Sequence, residues 1–386
     1  MTIRLGLEVF LEETAEGVAG KLLGLVACPS SVDRELRSSV ERLRRHPAID
    51  LVALFGPEHG LRGEAQAGAP VATYKDALTG LPVHSLYGDA RRPSPDMLRG
   101  IDAIIIDLQD GGVRFYTFLA TALYVMEAAA AAGCKVILLD RPAPITGNRI
   151  EGPLLDADFA SFVGPYPMPI RYGMTIGEMA QLANTEYGIN CELTVIPMDG
   201  WKRDMWFDDT GLPFVPSSPN LPTLDAMTLY PGTCLIEGSN LSEGRGTTKP
   251  FEYIGAPWID AEQLADQLND LDLEGARFRP VYFVPTFSKY HGELCAGVHI
   301  CVTDRERFQP VTMILNLLQV VIAGYPDNFA WRAPWAAGSQ APIDLLSGST
   351  ALRESLDARR PLEELIASWR PGSEAFLRLR QKYLLY

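Results

Sequence analysis

The first half of the chain alternates short apolar runs with amphipathic stretches, which predicts strands alternating with helices. Strands buried on both faces of a parallel sheet appear as apolar runs of about four to eight residues. The predicted strands are residues 22–28, 50–56, 81–88, 102–110, 135–142 and 192–198. The predicted helices are residues 31–46, capped by Ser31 or Asp33, 116–133, closed by Gly133, and 175–188. This alternation indicates an α/β protein with a parallel sheet covered on both faces.

The second half of the chain is less regular. Residues 210–227 are rich in proline and show no helical period, so we interpret them as a linker or the rim of a site. Residues 278–304 predict strands joined by glycine turns, and residues 311–324 and 361–369 predict helices. We therefore expect two domains, residues 1–225 and a smaller mixed α/β domain of residues 226–386.

Composition excludes several classes of protein. The 386 residues include 47% hydrophobic and 21% charged residues, as in ordinary globular proteins. The net charge is −14 and there is no long basic stripe, which argues against nucleic acid and anionic membrane surfaces as partners. No run of residues is apolar and long enough to suggest a membrane span.

The first residues and the cysteines predict a cytoplasmic protein. Residues 1–17 place Glu8, Glu12 and Glu13 where a secretory signal needs an apolar run. The six cysteines are scattered without the spacing of a zinc site, so we expect reduced thiols in the core. The five histidines show no paired ligand spacing either, and we expect neither metal nor cofactor.

Polar clusters lie at the carboxyl ends of four of the predicted strands. They are residues 29–31, 56–60, 107–110 and 140–142. Because ligands of an open parallel sheet bind outside the carboxyl ends of its strands, we expect these clusters to meet at one edge. The most informative is the Gly-Pro-Glu-His-Gly segment, in which Glu58 and His59 end a buried strand.

Each cluster also has a purely structural interpretation. Glu58 can be a loop carboxylate paired with Arg62, and His59 a structural side chain beside glycines. Asp107 and Asp110 can cap the helix that begins near Tyr116. Asp140 and Arg141 can form a local ion pair that holds a turn.

The motifs that are missing narrow the chemistry. No GxGxxG follows the first strand, and neither a phosphate-binding loop, a GxSxG nor an HExxH segment is present. Carboxylates, amides, arginines and aromatic residues remain. A glycoside hydrolase uses such a set, with one carboxyl protonating the leaving oxygen and a second anionic or nucleophilic group facing the sugar.

Seven long segments resemble the family once catalogued as DUF1343, whose characterised members are NamZ-type exo-β-N-acetylmuramidases of glycoside hydrolase family 171. They are FGPEHGLRGEAQAG, DLQDGGVRFYTF, DRPAPITG with EGP, RYGMTIGEMA, PSSPNLPT, YPGTCLIEGSNLSEGRGTTKPFEYIGAPW and FLRLRQKYLLY. The resemblance covers residues 5–386. It implies a Rossmann-like N-terminal domain, a smaller C-terminal domain and an active site in the cleft between them.

The implied reaction releases N-acetylmuramic acid from the non-reducing end of peptidoglycan fragments. The resemblance places the general acid or acid/base on Glu58, and the second catalytic group is Asp110, Glu237, Glu243 or the substrate's own acetamido group, so retaining, inverting and substrate-assisted mechanisms stay open. Other pocket residues implied by the motifs are His59, Arg62, Gln109, Arg114, Tyr116, Arg171, Asn220, Glu243, Arg245 and Glu252. An arginine among these is expected to bind the lactyl carboxylate, and Tyr116, Tyr172 or Trp258 to stack on the sugar.

The chain departs from the family pattern at two positions. Cys28 stands where the family has a polar residue after the first strand, and Ala143 replaces an asparagine. These changes leave two alternatives to the muramidase, namely a glycosidase for a related glycoside and a non-catalytic sensor of amino sugars or muropeptides. An amidase or esterase is disfavoured, because the chain lacks a nucleophile motif and a metal set.

Overall fold

The computed structural model describes residues 3–63, 65–66, 68–69, 72–88, 90–334 and 338–386. In these residues the strands are β1 (Leu22–Ala27), β2 (Asp50–Gly56), β3 (Tyr74–Lys75), β4 (Pro82–Ser85), β5 (Ala103–Asp107), β6 (Lys135–Leu139), β7 (Glu151–Leu154), β8 (Pro169–Arg171), β9 (Leu193–Ile196), β10 (Tyr253–Ala256), β11 (Ala276–Phe283) and β12 (Cys295–Val302). The α-helices are α1 (Gly6–Val9), α2 (Ser39–Arg44), α3 (Pro95–Leu98), α4 (Thr117–Ala132), α5 (Ile176–Glu186), α6 (Leu224–Thr233), α7 (Ala261–Asp270), α8 (Pro310–Gly324), α9 (Pro342–Ser347), α10 (Ala351–Asp357) and α11 (Leu362–Arg380). A 3-10 segment, Cys234–Gly238, follows α6 directly.

The chain forms two compact units, and neither is continuous in sequence. Unit 1 contains Met1–Arg149, Gly173–Pro219 and Arg378–Tyr386, and unit 2 contains Ile150–Tyr172 and Asn220–Leu377. The expected division into residues 1–225 and 226–386 stays a prediction.

Unit 1 is built on a seven-stranded sheet in the order β3-β4-β2-β1-β5-β6-β9. All neighbouring strands are parallel except β3, which runs antiparallel to β4 at the edge. From β1 the chain winds outward through β2 and β4, and then returns to wind the other way through β5, β6 and β9. The predicted doubly wound, mostly parallel α/β sheet is therefore confirmed, and its topological switch point lies between β1 and β5.

The central strands of this sheet are hydrophobic on both faces. Leu23, Leu25, Leu54 and Ile105 are completely buried, and each such side chain contributes about 1.5–3 kcal/mol relative to an exposed one. Helix α4 ends where Gly133 adopts a left-handed backbone with φ of 66°. This is the helix end predicted from the sequence, because glycine adopts that conformation without steric cost.

The helix predicted over residues 31–46 is wrong in its extent, since α2 comprises only Ser39–Arg44. The Asp33 carboxylate accepts hydrogen bonds from the backbone N–H groups of Glu35 and Arg37, both at 2.9 Å. These bonds favour a turn over a helix at this point. The cap is Ser38, whose hydroxyl oxygen accepts from the Glu41 N–H, rather than Ser31 or Asp33.

Residues 378–386 belong to unit 1 and are fixed there by polar contacts. The Tyr386 hydroxyl donates to the buried Asp140 carboxylate at 2.7 Å and accepts from the Met198 N–H at 2.8 Å. The Arg380 guanidinium donates to the carbonyl oxygens of Gly147 and Gly173. The interior of unit 1 is therefore completed by a segment distant in sequence.

Unit 2 is mixed α/β, as predicted for the second half of the chain. Its larger sheet is antiparallel in the order β10-β12-β11, and β7 pairs with β8 in a separate two-stranded sheet. Strands β10 and β12 approach closely where Gly255 faces Gly297, because a Cβ on Gly297 would lie 2.0 Å from the Ile254 carbonyl oxygen. Helix α7 packs on β11 and β12.

Candidate active site

The loops after β1 and β5 are joined at the switch point of the unit 1 sheet. The Ser31 hydroxyl donates to the carbonyl oxygen of Asp107, the last residue of β5. It also accepts from the Cys28 N–H at 2.9 Å, and the Cys28 sulfur lies 3.1 Å from the Ser30 oxygen. Cys28 therefore has a polar setting, although the family pattern has a different residue at its position.

Glu58 lies just beyond the end of β2 in a tight turn. The Gly60 N–H donates to the Pro57 carbonyl at 2.9 Å, and His59 adopts a left-handed backbone with φ of 72°. The Glu58 side chain is only 9% exposed. Its Oε2 accepts from the Thr117 hydroxyl at 2.7 Å and its Oε1 from the Gly68 N–H at 3.0 Å. The turn thus holds a buried carboxylate against two neutral donors.

Tyr116 lies close enough to Glu58 and Asp110 for their charges to affect it. Burial raises the pKa of Tyr116 well above its ordinary value, and the nearby carboxylates of Asp110 and Glu58 raise it further, although the hydrogen bond with Ser217 opposes the rise. Its hydroxyl lies 2.5 Å from the Ser217 hydroxyl. These three predicted residues of the site are therefore brought together in unit 1, around a phenol that stays protonated.

Asp110 is buried, and its Oδ2 accepts from the Gly112 N–H at 2.7 Å. It therefore shapes the loop before α4 instead of capping that helix, whose cap position is occupied by Tyr116. The interpretation of Asp110 as the helix cap is wrong.

The other predicted residues of unit 1 lie in the same loops. The His59 Nδ1 is 3.0 Å from the Ala65 carbonyl oxygen, and the Arg62 Nη2 donates to Asp76 at 2.9 Å. The Gln109 amide donates to the carbonyl oxygens of Asp110 and Pro142. Arg114 is completely buried, and burial lowers its pKa to about 9, which leaves a cation at neutral pH.

The interpretation of Asp140 and Arg141 as a local ion pair is wrong. Arg141 instead makes a two-pronged contact with Asp107, with Nε–Oδ1 at 2.5 Å and Nη2–Oδ2 at 2.8 Å. Asp140 accepts from the Thr175 hydroxyl and the Gly177 N–H, at 2.7 and 2.8 Å, in addition to Tyr386. The two side chains therefore link strand ends to different parts of unit 1. Because Asp107 is paired with Arg141, the interpretation of Asp107 as a helix cap is wrong too.

In unit 2, Glu237, Glu243 and Arg245 are brought together with a lysine that the sequence analysis missed. The Arg245 Nε donates to the Glu237 Oε1 at 2.9 Å and lies 3.3 Å from the Glu243 Oε1. The Lys289 Nζ lies 2.9 Å from the Glu243 Oε2. These four residues form what we call the carboxylate–cation cluster, which contains two negative and two positive charges.

The remaining predicted residues of unit 2 lie elsewhere in it. Glu252 accepts from the Lys249 ammonium at 2.8 Å, and its pKa is lowered because contacts with His299 and Lys249 outweigh its burial. Arg171 of β8 lies opposite Glu151 of β7 in the antiparallel register of these two strands. Asn220 is buried, and it is the first residue of the Asn220–Leu377 segment of unit 2.

Glu151 accepts hydrogen bonds from two N–H groups, those of Val311 and Thr312, in the first turn of α8. Burial raises its pKa to about 7, although these N–H groups and Arg171 oppose the rise. Arg171 therefore lies beside a carboxylate that anchors a helix.

Tyr172, Trp258 and Ala143 were also named in the sequence analysis, the first two as residues expected to stack on the sugar and the third as a departure from the family pattern. Tyr172 is completely buried, and the Trp258 Nε1 donates to the Tyr290 hydroxyl at 3.3 Å. Ala143 packs in an apolar cluster with Ile3, Met198 and Trp201. Its replacement of the family asparagine therefore falls in the interior of unit 1.

The sequence analysis missed Thr117, Ser217 and Lys289. Thr117 is 59 positions from Glu58 along the chain, and Lys289 is also far along the chain from Glu243. No local motif therefore joins either pair. The one available signal for Thr117 was its position at the second residue of the helix predicted over residues 116–133, after a predicted strand end.

Two absences apply only to the residues that the structure describes. Among them, no group of three His, Cys, Asp or Glu side chains is arranged to hold a metal ion. None of the helices formed by these residues combines the length and the apolar character needed to cross a membrane.

A doubly wound α/β unit with buried carboxylates at its strand ends is joined to a mixed α/β unit. This two-domain α/β architecture is the class of protein that the sequence predicts. Family models described as "Exo-beta-N-acetylmuramidase NamZ", N-terminal and C-terminal, match residues 23–225 and 228–386. The chain therefore belongs to the NamZ exo-β-N-acetylmuramidase family, and the resemblance stated from the sequence is confirmed.

Individual relatives agree with this assignment. The peptidoglycan β-N-acetylmuramidase NamZ of Bacillus subtilis (strain 168) is 47% identical over 384 residues, which cover 100% of this chain and 91% of the relative. The crystal structure of a DUF1343 family protein from Bacteroides fragilis NCTC 9343 has 39% identity and a TM-score of 0.90, and covers 100% of this chain and 99% of its own. A second such protein from the same organism has 28% identity, a TM-score of 0.75 and the same coverage.

Proposed function

We propose that this chain is an exo-acting β-N-acetylmuramidase in which Glu58 is the general acid or acid/base. Membership of the NamZ family supports the activity, which is that of a glycoside hydrolase. The observation that carries the role of Glu58 is its position, buried beyond β2 and oriented by the Thr117 hydroxyl at 2.7 Å. A carboxyl with limited access to water and a fixed orientation suits proton donation to a leaving oxygen.

The second catalytic group is proposed to be Asp110, Glu237, Glu243 or the substrate's acetamido oxygen. Asp110 shares the surroundings of Tyr116 with Glu58, which supports it within unit 1. Glu237 and Glu243 are held by Arg245, which fixes the positions of both carboxylates. A carboxylate of this kind stabilises the positive charge that develops on the sugar.

Recognition of the lactyl carboxylate is assigned to an arginine. Arg62 is the candidate that retains a partly exposed side chain, 39% accessible, while Asp76 fixes one of its nitrogens at 2.9 Å. The planar guanidinium is thereby pre-oriented, and its fork geometry matches that of a carboxylate. Arg114, Arg171 and Arg245 remain alternatives. His59, Gln109, Asn220 and Glu252 are proposed to shape the pocket.

The proposed substrates are muropeptides or other peptidoglycan fragments, with neither nucleic acid nor membrane as a partner. We assign the protein to the cytoplasm, because all six cysteines are free thiols, as is usual in a reducing compartment.

The test is hydrolysis of a chromogenic β-N-acetylmuraminide and of the matching N-acetylglucosaminide by the wild type and Glu58→Gln. Glu8→Gln is the matched control, because Glu8 is a glutamate of unit 1 with similar burial, 7% exposed. We expect turnover of the muraminide only, lost in Glu58→Gln and kept in Glu8→Gln.

The other outcomes contradict specific parts of the proposal. Activity that survives Glu58→Gln means that another group is the acid. Preference for the glucosaminide indicates a glycosidase for a related sugar. No turnover of either substrate, together with binding of N-acetylmuramic acid in calorimetry, identifies a sensor.

A further inference from the structure

Unit 1 contains a cavity of about 490 Å³ between α2 and the turn that joins β3 to β4. Three arginines line it, namely Arg44 at the end of α2, Arg45 as the cap residue that follows, and Arg62 from the loop after β2. The described part of the lining contains a single carboxylate, that of Glu41. Cavities of about 300–1,000 Å³ accommodate small-molecule ligands, so this one is large enough for a ligand with several carbon atoms.

The turn between β3 and β4 forms a fixed wall of the cavity. The Asp76 carboxylate accepts from the N–H and the hydroxyl of Thr79, at 2.9 and 2.8 Å, and the Gly80 N–H donates to the Asp76 carbonyl oxygen at 2.8 Å. Burial favours the neutral form of Asp76, but hydrogen bonds from Arg62 and Thr79 outweigh it and lower the pKa of this carboxyl. The turn is therefore shaped by its own hydrogen bonds, and Asp76 is charged at neutral pH.

Two of the arginines converge on this turn. The Arg62 Nη2 donates to the Asp76 Oδ1 at 2.9 Å. The Arg44 Nη1 reaches the Leu78 carbonyl oxygen, two positions further along the turn, at 3.5 Å. This Arg44 contact is at the long limit of a hydrogen bond, and within the residues that the structure describes Arg44 pairs with no carboxylate. A negatively charged ligand oxygen is therefore a better acceptor for Arg44 than its present partner.

The charges around the cavity leave an excess of positive charge. The Arg45 Nη1 lies 2.8 Å from the Glu41 Oε1, and the Arg45 side chain is 78% exposed. An exposed pair of this kind contributes little to stability, so Arg45 can turn to a ligand at small cost. Even when Asp76 is counted with Glu41, three cations face two carboxylates, in a chain whose net charge is −14. The cavity thus attracts anions on a protein that as a whole repels them.

We propose that this cavity binds a small organic phosphate, with the phosphate group held between Arg44 and Arg62 and reached by Arg45. A phosphate monoester carries a charge of about −1.5 to −2 and three terminal oxygens. A single guanidinium fork is enough for a planar carboxylate, and Arg62 already uses part of its fork on Asp76. Arginines that approach from α2 and from the β2 loop suit a tetrahedral group instead, because its oxygens point in several directions.

The rest of the lining suits the carbon skeleton of such a ligand. Leu78 is 75% exposed, and Val40 is a second apolar residue of the lining. The Ser38 hydroxyl accepts from the Glu41 N–H at 3.2 Å, which leaves its own proton for a ligand oxygen. Inorganic phosphate uses only the arginines, whereas a phosphate ester also covers Leu78. We therefore expect the ester to bind more tightly than inorganic phosphate.

The test is calorimetric titration of the full chain, in a buffer without phosphate, with glycerophosphate, inorganic phosphate and malonate. We expect glycerophosphate to bind most tightly, and malonate, a dicarboxylate of similar charge, to bind about tenfold more weakly. Equal or tighter binding of malonate refutes the assignment of a phosphate. Equal affinity for the two phosphates contradicts the role of Leu78, and absence of binding of all three by the wild type overturns the inference.

Arg44→Gln removes the cation with the weakest present partner, and we expect it to weaken the binding of glycerophosphate about tenfold. Arg44→Lys keeps the charge without the planar fork and should restore only part of the affinity. Arg99→Gln is the matched control, because Arg99 is an exposed arginine of unit 1, paired with Asp96 and 80% accessible. Equal losses in Arg44→Gln and Arg99→Gln mean that only the net charge matters, which contradicts a built site.

Leu78→Asp tests the location of the site by an independent change. Because the Leu78 side chain is exposed, the substitution leaves the core untouched, and the new carboxylate repels a phosphate. We expect binding of glycerophosphate to be lost, with thermal melting unchanged in the absence of ligand. An unchanged affinity places the ligand elsewhere and refutes the proposal.

This inference does not rest on the proposed function. Arg62 is also a candidate for recognition of the lactyl carboxylate, and the variants are therefore made at Arg44 and Leu78 instead. Calorimetry decides whether the cavity binds a phosphate, whether or not the chain hydrolyses a muraminide.

Discussion

The hydrogen bond from Thr117 to Glu58 yields a quantitative prediction. The donor and acceptor oxygens are 2.7 Å apart, and Thr117 begins α4 while Glu58 follows β2, so both ends are fixed by secondary structure. Thr117→Val keeps the shape of the side chain and removes the hydroxyl. A hydrogen bond to a charged group contributes about 1.5–3 kcal/mol. If this energy positions the acid in the transition state, kcat/KM falls about 10- to 150-fold.

Thr121→Val is the matched control for this change. Thr121 lies one turn further along α4, and its hydroxyl donates to the Thr117 carbonyl at 2.9 Å. The control therefore removes a buried hydroxyl from the same helix without touching Glu58. We expect it to lower the free energy of unfolding by about 1 kcal/mol and to leave kcat/KM unchanged.

The assay is steady-state hydrolysis of a chromogenic β-N-acetylmuraminide, with thermal melting alongside. A positioning role predicts that the loss in Thr117→Val appears in kcat, with KM nearly constant, and that Thr117→Ser restores most of the rate. Equal losses in Thr117→Val and Thr121→Val mean that the effect follows stability instead. An unchanged kcat in Thr117→Val refutes the claim that this bond orients the acid.

Two further predictions concern buried charges of unit 1. Burial raises the pKa of Asp140 from 3.8 to about 6, so its contribution to stability is present below pH 3.8 and is lost, by about 3 kcal/mol, as the pH rises through 6. Urea unfolding between pH 4.5 and 7 should therefore show a steeper fall for the wild type than for Asp140→Asn, and parallel profiles would contradict this linkage. Arg141→Met leaves Asp107 buried without its partner and should cost about 3–5 kcal/mol in the free energy of unfolding, whereas Arg45→Met, at an exposed pair, should cost less than about 1 kcal/mol. A small effect of Arg141→Met would show that water or a neighbour readily compensates the Asp107 charge.

Local patterns predicted the framework of unit 1 because its strands are short, buried and uniformly apolar. Strand β2 has the predicted bounds, and β1, β5, β6 and β9 lie within their predicted ranges. The expectation failed at residues 31–38, where one carboxylate, that of Asp33, organises a turn within an amphipathic segment. Periodicity records which face is apolar, and it does not record competition between a side chain and the helix for backbone N–H groups.

The strand-end rule predicts that Glu58 and Asp110 lie at one edge of the sheet, and both follow strands of unit 1. The rule did not predict partners such as Thr117, Ser217 and Lys289, because these depend on tertiary contacts between segments far apart in sequence. The same limit explains the error at Asp140 and Arg141, which are adjacent in sequence but have different partners. Adjacent residues on a strand end point to opposite sides, so sequence proximity is a poor guide to pairing there.

The contribution of residues 378–386 to unit 1 has a consequence for biosynthesis. A ribosome adds about 5–20 residues per second, so unit 1 waits roughly 10 to 30 seconds between emergence of Pro219 and arrival of its last segment. During that interval the Asp140 carboxylate lacks the Tyr386 hydroxyl, and the carbonyl groups of Gly147 and Gly173 lack Arg380. The nascent chain therefore carries unit 1 without these contacts while residues 220–377 of unit 2 are translated.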